Sequence, residues 1–332
     1  MIHESIWREW FHVFFYKNRT SINIEISMYK KMYFLLLFFS FSSLASVKSY
    51  SYWFAPNHYE FLLDEKRSKY LGDYDISVFQ FYAGYLERLD DKMMRNEFAT
   101  LKKHNIAISI EAPPLVVPNL GRASEGFGHK DSIKNLLVRI KSNGGDIKFI
   151  TMDEPIMAWY KMHNHSLSDS DIRKLVEELS EVTNDIYSIF PNVKIGDVEP
   201  LNQFDGDEEM IFSSFIDYYN KRFENKLSFL HYDVSWGGGW KSKISSLIGL
   251  ADNKSINTGV IFNSQNTGGT TTSWMHNAED NIESYKSLNI PSLQHIIVQS
   301  WSKYPLAITP NDSKTNSYHM YLLEILGAKV TH

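Results

Sequence analysis

The chain has 332 residues and no cysteine. That absence removes disulfides, a thiol nucleophile and cysteine-ligated zinc, and leaves a domain of this size to be held by its core alone. An excess of positive charge is also missing. Lys+Arg number 34 against 39 Asp+Glu, a formal net charge of -5, so the electrostatic footprint of a nucleic-acid partner is absent. No Gly-x-Ser-x-Gly elbow occurs, which leaves a serine hydrolase without support. The stretches Gly126-Phe127-Gly128 and Gly237-Gly238-Gly239 lack the lysine and serine of a phosphate loop.

One apolar run stands out near the start, residues 32–41. It follows Met28-Tyr29-Lys30-Lys31 and precedes Ser42-Ser43-Leu44-Ala45-Ser46. This is the n-, h- and c-region order of a secretory signal peptide spanning about 28–45, with cleavage after Ala45. The run is short for a bilayer, so no stable membrane span is expected after cleavage. The expected location is exported, periplasmic or extracellular. Residues 1–27 read as an extended n-region or as sequence upstream of the true start. Residues 1–48 are set apart as leader, and 49–332 as a single domain, because no linker, charge block or low-complexity segment divides them.

Within 49–332, eight apolar segments alternate with helical patterns. The strand candidates are 52–56, 76–82, 106–111, 147–153, 193–199, 227–233, 258–265 and 295–301. Between them Ile133, Leu136, Leu137 and Ile140 recur at helical spacing and end at Asn143-Gly144-Gly145, as a glycine cap would end them. Ser168 with Asp171 three residues on begins another helix, whose buried face is Ile172, Leu175, Val176 and Leu179. Eight strand–helix alternations over about 280 residues predict an α/β fold, a (β/α)8 TIM barrel.

Each strand starts apolar and turns polar at its exit. Ser109 and Glu111 share a face on the third, Asp197 and Glu199 on the fifth, His231 and Asp233 on the sixth, Asn263 and Gln265 on the seventh. A doubly wound sheet would show this only at its switch point. Polar ends converging from separate strands place a site in the barrel mouth. Six of the eight tryptophans lie beyond the leader: Trp53, Trp159, Trp236, Trp240, Trp274 and Trp301. All six are expected at or after strand C-termini, where flat aromatic faces suit the C–H faces of sugar rings.

Two segments carry the chemistry, Ile150-Thr151-Met152-Asp153-Glu154-Pro155 and Ile195-Gly196-Asp197-Val198-Glu199-Pro200. Each delivers carboxylates to a strand tip. Paired carboxylates are what glycoside hydrolysis needs, one as proton donor and one across the ring. With Asp153-Glu154-Pro155 at the fourth strand end, the chain resembles the TIM-barrel glycoside hydrolases typified by cellulases, mannanases and xylanases. Their acid/base glutamate sits there as Asn-Glu-Pro or Asn-Glu, and their strand-8 tryptophan is matched by Trp301. The resemblance implies Glu154 as general acid. It departs at the seventh strand, where Gly259-Val260-Ile261-Phe262-Asn263-Ser264-Gln265 holds no glutamate for a nucleophile. The chain is also similar to uncharacterised secreted barrel proteins with the same Asp-Glu-Pro, Gly-Asp-x-Glu-Pro and Gln-Ser-Trp segments.

The second carboxylate must then come from elsewhere. Glu199 is the first choice and Asp233 the second, with Asp153, Asp197 and Glu111 as supporting acids. Trp53, Tyr82, Trp236, Asn263, Gln265, Gln299 and Trp301 are the expected sugar contacts, since amides both donate and accept. The reading is a secreted glycoside hydrolase of a poly- or oligosaccharide, without cofactor or metal. The sugar, the linkage, retention or inversion and the oligomeric state stay open. One alternative is a carbohydrate-binding barrel without catalysis. The other is a metal-dependent polysaccharide deacetylase built on His163-x-His165 with Asp153 or His231, although a loop pair of this kind is more often simply solvated.

Overall fold

Runs of β-branched and aromatic residues with a two-residue period make the strands, and their observed bounds follow that pattern closely. In the computed structural model they are β1 (Ser51–Ala55), β2 (Ile76–Tyr82), β3 (Ala107–Ala112), β4 (Ile147–Asp153), β5 (Lys194–Leu201), β6 (Phe229–Val234), β7 (Asn257–Phe262) and β8 (His295–Gln299). The structure describes residues 51–116, 126–129, 131–288, 290 and 293–330, so the expected signal peptide lies outside the described residues. Every strand pairs in parallel with its sequence neighbours and β8 returns to β1, closing the barrel. This is the (β/α)8 TIM barrel that the alternation predicts.

Closure gives the two faces of each strand different tasks. Inward residues Trp53, Val78, Val198, Phe229, Ile261 and Ile297 form a small cluster, with Ala107 and Phe149 against it. Outward residues such as Phe54, Phe79, Ile110, Ile150, Met152, Ile195, Tyr232 and Val260 belong to the larger cluster shared with the helices. Each large apolar side chain buried this way contributes about 1.5–3 kcal/mol. The interior is packed at its lower end and polar at its upper end, where Gln80, Ser109, Glu111, Thr151 and Gln299 are buried.

The interior ring leaves no room at Gly196. A Cβ there would lie 2.2–2.4 Å from three atoms of the Phe229 ring, which itself packs on Trp53, Phe149 and His231. Gly196→Ala is therefore expected to destabilise the barrel by about 1–3 kcal/mol, the usual range for overpacking. Chemical denaturation checks this, and an unchanged midpoint would mean the ring can move aside.

The helices carry the capping chemistry that their sequences announce. Ser132–Ser142 ends at Asn143, and Gly144 follows at φ +80°. Asp169–Glu178 begins with a reciprocal capping box of Ser168 and Asp171. The helix Pro155–Met162 is different. Its N-cap, Glu154, makes no side-chain cap bond. Among the described residues no helix is long and apolar enough to cross a membrane.

Candidate active site

At the C-terminal mouth of the barrel lies a cleft of about 470 Å³. Glu111 reaches it from β3, Asp153 and Glu154 from the end of β4, and Asp233 from β6. Tyr82, Asn263, Gln265, Gln299 and Trp301 complete the part that the sequence pattern names. Gln203, Ser235, Val198 and Ile261 also line it and were not singled out by sequence. Among the described residues lining the cleft there is no lysine, arginine or histidine.

Glu154 is delivered by backbone conformation. Its φ of 44° and ψ of 45° lie in the left-handed region, which a non-glycine residue adopts at a cost of order 1–3 kcal/mol. Its amide donates to the Val198 carbonyl at 3.1 Å, and its own carbonyl accepts from Ala158 at 2.9 Å. Gly126 packs on the same turn, where a Cβ would fall 2.9 Å from the Glu154 carbonyl. Strain of this kind persists only where surrounding contacts enforce it.

Glu111 sits in a polar network. Gln80 Nε2 donates to its Oε2 at 2.6 Å, and Gln299 Nε2 to Oε1 and Oε2 at 3.3 and 3.1 Å. Gln80 Oε1 accepts in turn from Ser109 and Thr151, and Gln299 Nε2 also donates to the Tyr82 hydroxyl at 3.0 Å. Burial pushes the Glu111 carboxyl well above the ordinary range, and the Asp153 charge adds to the push. The Tyr82 hydroxyl is raised too, again by burial first and by Glu111 next. Gln80 was legible as a polar residue between Val78 and Tyr82 on one strand face, but the sequence reading passed over it.

Asp233 is oriented from the other side. Asn263 Nδ2 donates to its Oδ1 at 3.0 Å, and Asn263 Oδ1 accepts from Trp236 Nε1 at 3.0 Å. The chain of contacts from Trp236 through Asn263 fixes the Asp233 rotamer at the cleft wall.

Several expected positions are corrected. Glu199 and Asp197 do not reach the mouth. On β5 the inward residues are Gly196 and Val198, so Ile195, Asp197 and Glu199 face outward toward the helices. Both acids are 0% exposed. Glu199 accepts from the Ile156 and Met157 amides at 2.7 and 3.0 Å. It is a helix-capping group and not a cleft carboxylate. Burial raises both acids well above the ordinary range. For Asp197 the next cause is Glu154, and for Glu199 it is Asp197.

The tryptophans are redistributed as well. Trp53, also 0% exposed, fills the lower barrel against Phe149, Phe229, His231 and His295, so it cannot meet a ligand in the mouth. Trp236 lies beneath the wall, stacked on Phe262 and set edge-on to Trp240. Trp240 and Trp274 are buried in helices, and Trp159 donates from its helix to the Asp171 carbonyl. Of the six, Trp301 alone lines the cleft, 57% exposed.

His163 Nδ1 donates to the Trp159 carbonyl and its ring lies against the Trp159 ring, while His165 sits edge-on to Tyr160. His231 is deep in the barrel, its Nε2 hydrogen-bonded to His295 Nδ1 at 2.9 Å. Burial, then His295, holds it well below the ordinary histidine range. These histidines do not converge with Asp153. Among the described residues no group of three or more His, Asp or Glu is arranged to hold a metal ion.

No protein-family model and no curated protein sequence matches the chain. Solved structures do. Native xylanase 10B from Thermotoga maritima is 11% identical, with 83% of this chain and 94% of that chain covered at a TM-score of 0.48. D-psicose 3-epimerase from Clostridium cellulolyticum H10 is 11% identical, with 84% and 97% covered at 0.46. A GH18 chitinase from Pseudoalteromonas aurantia is 10% identical, with 82% and 98% covered at 0.45. At these identities and scores the likenesses carry no argument beyond the barrel already described.

Proposed function

We propose that this chain is a glycoside hydrolase acting on a poly- or oligosaccharide, with Glu154 as general acid and Asp233 as the opposing carboxylate. The observation that carries it is the cleft itself. It brings these two acids into one opening with an exposed tryptophan at the rim and amides along the wall. Glu199, the first choice from sequence, leaves the pair because its strand face is outward, and Asp233 takes its place. Glu111, its carboxyl pushed well above the ordinary range by burial and then by Asp153, stands beside them as a hydrogen-bond partner. Asn263, Gln265, Gln203 and Gln299 offer both donors and acceptors to sugar hydroxyls. The signal-peptide reading supports an exported enzyme.

The test is product formation from xylo-, cello-, manno- and N-acetylchito-oligosaccharides by the wild type and by Asp233→Asn. Turnover by the wild type that Asp233→Asn abolishes supports the assignment. Saturable glycan binding without products, indifferent to the substitution, would establish the non-catalytic binding barrel in its place.

Trp301 makes a separate, smaller prediction. Its exposed ring can stack on a sugar without touching the reacting bond, so Trp301→Ala is expected to raise KM and spare kcat. An aromatic contact of roughly 0.5–1.5 kcal/mol corresponds to a KM increase of a few-fold to about tenfold. Steady-state kinetics decide it, and a fall in kcat alone would assign the ring another role.

A further inference from the structure

The helix Pro155–Met162 starts immediately after Glu154, and Pro155 at its first position has no N–H to satisfy. The next two amides, Ile156 and Met157, need acceptors. A helix usually takes one from its own N-cap side chain. Here the N-cap is Glu154, which makes no such bond, and its side chain lines the cleft. The acceptors come from the neighbouring strand, where Glu199 gives Oε1 to Ile156 and Oε2 to Met157 at 2.7 and 3.0 Å.

We propose that Glu199 is a positioning residue for Glu154: by capping the helix from β5 it fixes the left-handed turn that holds the Glu154 side chain in the cleft. The same strand also pins the turn through the Val198 carbonyl, so β5 grips Glu154 by backbone and by side chain together. Asp197 lies two residues away on the same outward face. Its buried carboxyl oxygens lie beside the Val198 amide of their own strand, whereas those of Glu199 each take a helix amide. Two backbone N–H donors on one carboxyl suit its ionised form, so the capping bonds favour the anion at Glu199 over Asp197. The other groups acting on the pair are Asp153 and Glu154 at the end of β4, and Tyr219 on the helix Glu208–Arg222.

The proposal rests on the hydrolase reading, and one set of proteins separates the two. Wild type, Glu199→Gln, Glu154→Gln and the double variant are assayed on the same four oligosaccharide series, with rates corrected for folded fraction. Glu199→Gln keeps the shape but turns an amide N–H toward a backbone N–H. A misplaced acid of this kind costs roughly 10–100-fold in kcat, with KM changed little. Because Glu199 acts through Glu154, the double variant is expected to be no slower than Glu154→Gln alone. Wild-type kcat in folded Glu199→Gln, or losses that multiply in the double variant, would overturn the positioning role and leave the hydrolase standing. A wild type that cleaves none of the series, or an unaffected Glu154→Gln, overturns both. Should Glu199→Gln not fold, Glu199→Asp withdraws the same charge by one methylene and is read in the same way.

Discussion

Glu154→Gln is expected to fold normally and to cleave an oligosaccharide roughly 10²–10⁴-fold more slowly than the wild type. The amide occupies the volume of the carboxyl and leaves the backbone turn, pinned at Val198 and Ala158, unchanged. Only the transferable proton is lost. That loss matters most where the departing oxygen is a poor leaving group, as a sugar hydroxyl is. An aryl glycoside of the same sugar with an acidic phenol can leave without protonation, so its rate is expected to fall far less. The contrast between the two substrates is diagnostic of general acid catalysis. Equal losses on both would mean that Glu154 binds or orients the sugar, and no loss on either would remove it from the chemistry.

How much of this was legible in the sequence follows from the period-two rule and its one ambiguity. The pattern locates all eight strands, and β2 and β4 carry the expected bounds. It also places Glu111, Asp153, Asp233, Asn263 and Gln299 on inward faces, and Glu154 just past a strand end. The rule says which residues share a face but not which face looks inward. On most strands the polar exit settles that choice. On β5 it misleads, because Asp197 and Glu199 are polar and yet face the helices, and the reason for Glu199 is one the sequence does not announce. Glu199 answers a helix that begins one strand earlier, a contact across 43 residues of chain. Gly196 was the overlooked sign, since a bare position facing Phe229 is needed on the inside and not on the outside.

The tryptophans failed for a related reason. A position after a strand end is compatible with the cleft, with the wall beneath it and with the layer between barrel and helices. Composition cannot separate these. Trp53 lies in β1 itself, where the parity that puts Ala55 inside puts Trp53 inside as well, below the mouth. Trp301 reaches the cleft because it lies two residues past the end of β8, on the face of Gln299 and above the packed interior.

Glu97→Gln is expected to gain stability relative to the wild type as pH rises from 4 to 8. Glu97 lies on the buried face of the helix Asp91–Lys103 with Met94, Phe98 and Leu101. The Tyr85 hydroxyl donates to its Oε1 at 2.5 Å, and Oε2 is buried without a partner. Burial raises its pKa from 4.5 to about 7, against the lowering effect of the Tyr85 bond. Well below pH 4.5 the carboxyl is protonated in both folded and unfolded chains, and the group contributes no pH dependence. Between 4.5 and about 7 the unfolded chain ionises first, so the folded state loses ground as pH rises. Above that window the penalty is constant, and the interval corresponds to about 3 kcal/mol. Glutamine keeps an acceptor for Tyr85 and has no proton to lose. Urea unfolding of both proteins at pH 4 and pH 8 measures the change, since contributions from other titrating groups cancel in the difference between them. A difference that stays the same at both pH values would show that Glu97 ionises in the folded protein as readily as in the unfolded chain, through water reaching Oε2.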